Sequence, residues 1–439
     1  IIGGDVYNLP GGSKVLVSDE QKVKAGDKLA ETLMISEHGG EVRYAEDLVV
    51  EEVKSGKNKI NKIVQGKEIT IVIASLNPAN AKFEQTKKEQ LWTVDKTGEK
   101  YIVKAPVDTT VENGMIIAEL VDDECSVSSS GEIKYVDIEV DDNQIVTNPG
   151  HIVFVPEEVH QVNKDSSLKM VDNGTFVTAG TEVVKDVYCH IDGIVEFKEF
   201  NDVVHEVTIR PGEVHTLPNI SELKVEEGSV VEEGTVIAKG IKAKETSIVT
   251  LMEMDFDDLD IDDLDEDIDT SALEEESLED KPVQILVRPV QPMYIEPKEV
   301  SIEFNTTDES INIVPVTQLQ YKDGARVRNL DGATLTRTSL VLQMQGYLSH
   351  LKGMVELDEN GELKIVVLET LIVRRELEGN SKLNNSLQTE LLVGNGEVID
   401  AKTPIAKTEV LALNDGVASI KGDVTESRRL LLNCSNFET

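Results

Sequence analysis

The sequence has 439 residues with 83 acidic against 43 basic side chains, a formal charge of −40; it repels phosphate, which argues against direct, non-specific binding to DNA or RNA. Aromatic residues make up only 4%, so each core must be small and built from Val, Ile and Leu, which suits several compact modules, about three to five for this length, better than one large α/β enzyme. No run of about 18 apolar residues occurs, so no helical membrane span is expected.

Residues 1–90 are the first expected β module. It holds the clearest copy of a short cassette, residues 17–30. A turn at Asp19-Glu20 needs a positive φ or an Asx-type bond. Val23 then faces inward, Gly26 marks a second turn or bulge, and Leu29-Ala30 begins the next strand. Gly40-Glu41-Val42-Arg43-Tyr44 follows, its apolar and polar residues alternating as on a half-buried sheet. Residues 69–74 are strand-like, and 77–90 read as a short helix or loop.

Residues 91–155 form a module with a weaker cassette at 111–118, followed by Gly131-Glu132-Ile133-Lys134-Tyr135. Residues 156–252 carry the third and fourth cassettes, 171–184 and 225–238. Their first turns fall at Asn173-Gly174 and Glu227-Gly228, and their second at Gly180 and Gly234. Residues 253–281 read as an acidic flexible linker, because a run of Asp and Glu self-repels and buries too little apolar surface to offset ordering entropy. Its interleaved Phe256, Leu259, Ile261, Leu264 and Ile268 offer a second reading, addition to a basic partner as a strand or short helix.

Residues 282–345 return to a β pattern, with Pro282, Pro289, Pro292, Pro297 and Pro315 expected to confine strands to edges or starts. A weak fifth cassette lies at 327–335. Residues 346–439 hold a sixth at 393–406, with Lys402 where others have Gly, two strands starting at Gly353 and Gly416, and a final return strand. A unit repeated at fixed internal spacing implies one supersecondary device used many times. The expected fold is all-β, a tandem array of small barrels or sandwiches.

Catalytic patterns are missing: no G-x-S-x-G, P-loop, G-x-G-x-x-G or H-E-x-x-H occurs. No catalytic, cofactor-binding or metal-ligating residue is assigned. Cys125, Cys189 and Cys434 make no C-x-x-C pair, which suits a reducing, cytoplasmic setting. Cys189-His190 with His205 and His215 matches no structural zinc spacing and reads as scattered surface histidines. Arg43 and Arg210 alone precede residue 252. Arg288, Arg326, Arg328, Arg337, Arg374, Arg375, Arg428 and Arg429 follow it, as a docking surface or as ion pairs within modules. The chain opens on Ile1 without a signal-peptide pattern, so it is read as a piece of a longer protein.

The phrase V-x-x-G-x-x-L-A followed by G-x-V is similar to biotinyl and lipoyl carrier domains, which are barrel-sandwich hybrids presenting a modified lysine on a hairpin. Residues 31–38 and 119–123 hold no lysine. Lys239, Lys242 and Lys244 follow Ala238 without a Met-Lys pair. Strung in a row, the same fold resembles the large insertion within the trigger loop of cyanobacterial RNA polymerase β′ subunits (the beta-prime-2 chain). The likeness rests on Gly3-Gly4-Asp5-Val6-Tyr7-Asn8-Leu9-Pro10 leading into residues 13–17 and 23–30, and on the return at 425–429. That resemblance implies tandem sandwich-barrel hybrid motifs that hold no catalytic residue and no cofactor. The parent's magnesium and structural zinc would lie outside this region. It implies action through trigger-loop movement and contact with the promoter-recognition sigma factor and other polymerase subunits, during initiation, pausing and transcript cleavage. The isolated piece is expected as a monomer that binds neither nucleic acid tightly nor membrane. Two alternatives stand beside it: a biotinyl- or lipoyl-type carrier array, and an acidic calcium-dependent surface β-repeat protein.

Overall fold

The computed structural model describes residues 4–9, 12–55, 58–121, 125–162, 168–252, 282–329, 331–374, 385–421 and 428–433. The acidic stretch 253–281, along with Arg375 and Cys434, lies outside them. The described residues form short antiparallel sheets and contain no α-helix, only 3-10 turns such as Ile220–Glu222 and Gly346–His350. The fold is an all-β array of small barrel- or sandwich-like modules.

One device recurs at all six cassettes. The inward residue of each lies opposite the first residue of a G-x-V strand: Val23 with Gly416, Val111 with Gly353, Val177 with Gly193, Val231 with Ser247, Val327 with Gly131 and Ile399 with Gly40. All six inward residues are at most 7% exposed, and each such burial is worth about 1.5–3 kcal/mol. The first turn closes the same way every time. Glu20, Asp108, Gly174, Gly228, Gly324 and Gly396 all have positive φ. Each donates its N–H to the carbonyl two residues into the G-x-V strand, namely Ala418, Val355, Val195, Val249, Ile133 and Val42.

The second turn also keeps its geometry. Gly26 and Gly234 have φ of 92° and 83°, and Lys402 adopts 66° at the equivalent position, in the left-handed region that costs a side chain energy. The glycine of the G-x-V strand has a different reason. A Cβ on Gly131 would stand 2.3 Å from Phe154 Cε2 and 2.5 Å from the Val155 carbonyl oxygen, so the strand is bare there to let its neighbours close in.

Partners are chosen in two ways. The third and fourth cassettes pair with the G-x-V strand that follows them directly. The other four exchange strands. The cassette at 17–30 pairs with the strand Gly416–Lys421, which follows the cassette at 393–406; that cassette in turn pairs with the strand Gly40–Tyr44. The second and fifth cassettes exchange the strands Gly131–Tyr135 and Gly353–Leu357 in the same fashion. Hence boundaries drawn along the chain cut across the cores. Val23, Leu29 and Ala30 share a core with Val410, Ala418 and Leu430, and Val42 shares one with Ile399, Ile405 and Ala406.

The described chain divides into two units, one of residues 1–118, 301–314 and 341–439, the other of 119–300 and 315–340. The first contains a sheet whose order is symmetrical: Thr110–Val111, Gly353–Leu357, Leu363–Ile372, Glu68–Pro78, Gly40–Tyr44, Val398–Ile399. It also contains the terminal pairing of Gly4–Leu9 with Arg428–Asn433, in register from Gly4 opposite Asn433 to Leu9 opposite Arg428. Tyr7, Leu9, Leu430 and Leu432 bury that pair, and the Tyr7 hydroxyl accepts from the N–H of Leu413 at 3.0 Å.

The second unit carries three four-stranded sheets of one plan: an edge strand, a long strand, the G-x-V strand (Ser247 heads it in one case), then the cassette strand. Cores around Ile133 and Val327, around Val177 and Val195, and around Val231 and Val249 follow from it. Two of the five prolines sit as expected, while Pro282 and Pro297 lie outside strands. Pro292 lies on the edge strand Gln291–Ile295 and Pro315 on the edge strand Ile311–Leu319, whereas Pro289 ends an inner strand. Residues 77–90 depart from the helix-or-loop reading. The strand Ala81–Gln85 pairs with Gln90–Val94, setting Phe83 opposite Trp92, while the Trp92 ring meets Phe304 edge-on with centroids 5.8 Å apart.

Candidate functional site

The second unit gathers its charged groups around the Glu157-Glu158 step between the strands Gly150–Pro156 and Glu158–Gln161. A strand sends successive side chains to opposite faces, and these two neighbours serve different clusters.

Glu157 is fully buried, 3.6 Å from Arg288 Nη2 and 3.4 Å from Arg326 Nε. Arg326 and Arg328 also reach Glu206, at 3.5 and 3.6 Å, and Arg210 pairs with Glu196 at 2.6 Å. Burial pushes the Glu157 carboxyl up, against the pull of Arg326, Arg288 and Arg210. Burial likewise lowers the Arg288 guanidinium to about 10, opposed by Glu157. Arg288 also donates to the Pro156 carbonyl at 3.1 Å. Arg288, Arg326 and Arg328 are thus engaged in ion pairs, but not within one module as the sequence suggested: Arg326 lies on the sheet of Gly131–Tyr135 and reaches Glu206 on the strand Val203–Arg210 of a second sheet, while Arg288 comes from a third, that of Ser247–Met252. Arg337 likewise pairs with Glu119 at 3.5 Å.

Glu158 faces His160 and His190. Its side chain is 5% exposed, that of His160 14% and that of His190 69%. Glu158 and His160 stand two apart on one strand, so they share a face; the strand is held by pairing of Glu158 with Ile209 and His160 with Val207. His190 arrives on the loop after the hairpin Glu182–Tyr188. Its Nδ1 lies 2.7 Å from Glu158 Oε1, which also meets His160 Nε2. The backbone N–H groups of His190 and Ile191 donate to the same carboxylate at 2.9 and 3.0 Å. The two imidazoles stack with centroids 5.5 Å apart. Burial pushes the Glu158 carboxyl up, but the bonds from His160, His190 and the backbone outweigh it and hold it at about 2.

The grouping of Cys189 and His190 with His205 and His215 does not converge. Cys189 is buried in the core around Val195, its thiol donating to the Thr178 carbonyl at 3.1 Å. His205 packs beside Phe200, and His215 lies 3.6 Å from Glu213. What the sequence reading missed is the E-x-H pair at 158–160. Its two-residue spacing was visible, but nothing in the sequence linked it to His190.

Two lysines stand at exposed hairpin tips. Val184 pairs with Val187, leaving Lys185-Asp186 at one tip; Ala238 pairs with Ile241, leaving Lys239-Gly240 at the other. Hairpins thus do surround lysines after two cassettes, though no methionine adjoins them. A separate cleft of about 510 Å³ is lined by Cys125, Glu296, Lys298, Thr317, Thr336 and Thr338, without a convergent set of acid and base. Among the described residues no helix is long and apolar enough to cross a membrane. No protein-family model matches the chain.

Proposed function

We propose that this chain is a non-catalytic insertion of a cyanobacterial-type RNA polymerase β′ subunit, acting in the cytoplasm by coupling to trigger-loop movement and by contact with sigma factor. The observation that carries the reading is the pairing of Gly4–Leu9 with Arg428–Asn433. Antiparallel partners stand about 5 Å apart, so the incoming and outgoing ends leave side by side, as a domain inserted in a loop requires. The exchange of strands between early and late cassettes supports the same reading, since both ends of the chain are needed to complete one core. A charge of −40 favours protein partners over nucleic acid. The test is to tag the chain in its natural polypeptide and purify it natively. Stoichiometric β and β′ subunits with RNA-synthesising activity support the proposal, and a polypeptide free of polymerase subunits sinks it.

One observation favours a second reading, a carrier array: Lys185 and Lys239 occupy the hairpin tips where such domains bear their cofactor. Intact mass separates the two. Added biotin or lipoate mapped to either lysine supports a carrier, and unmodified lysines in protein from its natural host exclude it.

A further inference from the structure

We propose that Glu158, His160 and His190 form a binding site for a divalent transition-metal ion of the zinc class. Among the described residues this is the one group of three ligand-type side chains whose donor atoms lie within 4.8 Å of one another. Two imidazoles and a carboxylate are the set that zinc accepts when a fourth position is left to water, whereas calcium and magnesium select oxygen donors. The frame is built before any ion arrives. Glu158 and His160 share a strand face and are nearly buried. The loop bearing His190 is tied to the same carboxylate by two backbone N–H groups, which fixes its orientation as outer partners do at metal centres. The exposed ring of His190 gives an ion a path from solvent and leaves one side open to water.

Both imidazole contacts to Glu158 Oε1 have to open to admit an ion. Ligands about 2.1 Å from a tetrahedral ion stand about 3.4 Å from each other, against 2.7 Å between His190 Nδ1 and Glu158 Oε1. An outward swing of the exposed His190 ring by under about 1 Å makes that room on one side, and the closer contact between His160 Nε2 and the same Oε1 has to open as well. The same three residues could instead serve as a hydrogen-bonded clamp on the 189–191 loop, and the experiment separates the two roles.

The full chain is stripped with chelator and titrated with zinc by calorimetry, with cobalt(II) absorption as a second readout. The expected result is one zinc per chain and a tetrahedral cobalt spectrum. His190→Ala, at an exposed position that keeps the fold, weakens zinc binding by about 100-fold or more and abolishes the spectrum. His205→Ala changes neither. Two results overturn the proposal: no stoichiometric binding by the parent chain, or equal affinity in the parent and His190→Ala chains. The second would show that zinc is held by scattered surface carboxylates.

Discussion

Gly40 lies opposite Ile399 across an antiparallel pair of strands, although the two come from opposite ends of the chain. The mirror relationship, Val23 opposite Gly416, is built from the other halves of the same two cassettes. Neither half-repeat completes its own sheet, so each of the two cores draws on residues from both ends of the chain.

Gly131 and Gly193 are demanded by neighbours rather than by φ. Gly131→Ala drives a Cβ into the Phe154 ring and the Val155 carbonyl, and should cost about 2–4 kcal/mol. Ser247 occupies the equivalent position in another module, buried with its hydroxyl donating to the Glu245 carbonyl at 2.8 Å. Ser247→Gly should therefore cost about 1 kcal/mol or less. Urea unfolding of both variants checks the contrast.

The second turn behaves in the opposite way. A Cβ on Gly26 or Gly234 meets nothing within 4 Å, so only backbone strain opposes it. Gly234→Val should destabilise by about 1–3 kcal/mol. Lys402 already bears that strain at φ 66°, and Lys402→Gly should stabilise by up to about 1 kcal/mol. A lowered midpoint for Lys402→Gly would show that its side chain does more than tolerate the turn.

Arg288 is buried with Glu157, and removing one partner of a buried pair strands the other. Arg288→Met should cost about 3–5 kcal/mol, while the double variant with Glu157→Gln recovers part of the loss. Thermal unfolding of the single and double variants measures the coupling.

Glu158 is held at about 2, against an ordinary 4.5. Its folded-state value is depressed, so its contribution is present above about pH 4.5 and is lost as pH falls toward about 2. One pKa unit corresponds to about 1.4 kcal/mol, so the contribution is at most about 3.5 kcal/mol. Stability measured between those pH values should fall less steeply in Glu158→Gln than in the parent chain.

The local device was legible because it is local. Val23, Val177, Val231 and Ile399 read as inward-facing, and Asn173-Gly174 and Gly26 read as turns, since spacing and φ preference act within a few residues. Which cassette meets which strand was not legible. The third and fourth pair with their own strands and the other four exchange them, yet their sequences carry the same pattern. The hairpin at 81–94 was hidden by its polar residues, and the aromatic partner of Trp92, Phe304, lies far from it in sequence. The Glu158 cluster joins a strand to the loop that carries His190, about thirty residues on, and no sequence spacing encodes that meeting.

As an insertion of the proposed kind, this chain would regulate an enzyme whose chemistry lies elsewhere. The most direct measurement is transcription by the polymerase proposed to carry it, with residues 4–433 removed and the flanking chain rejoined by a short linker. Nucleotide addition should persist, while promoter-complex lifetime, pausing or transcript cleavage changes and sigma contact weakens. Complete loss of nucleotide addition in an assembled, DNA-bound enzyme would contradict it.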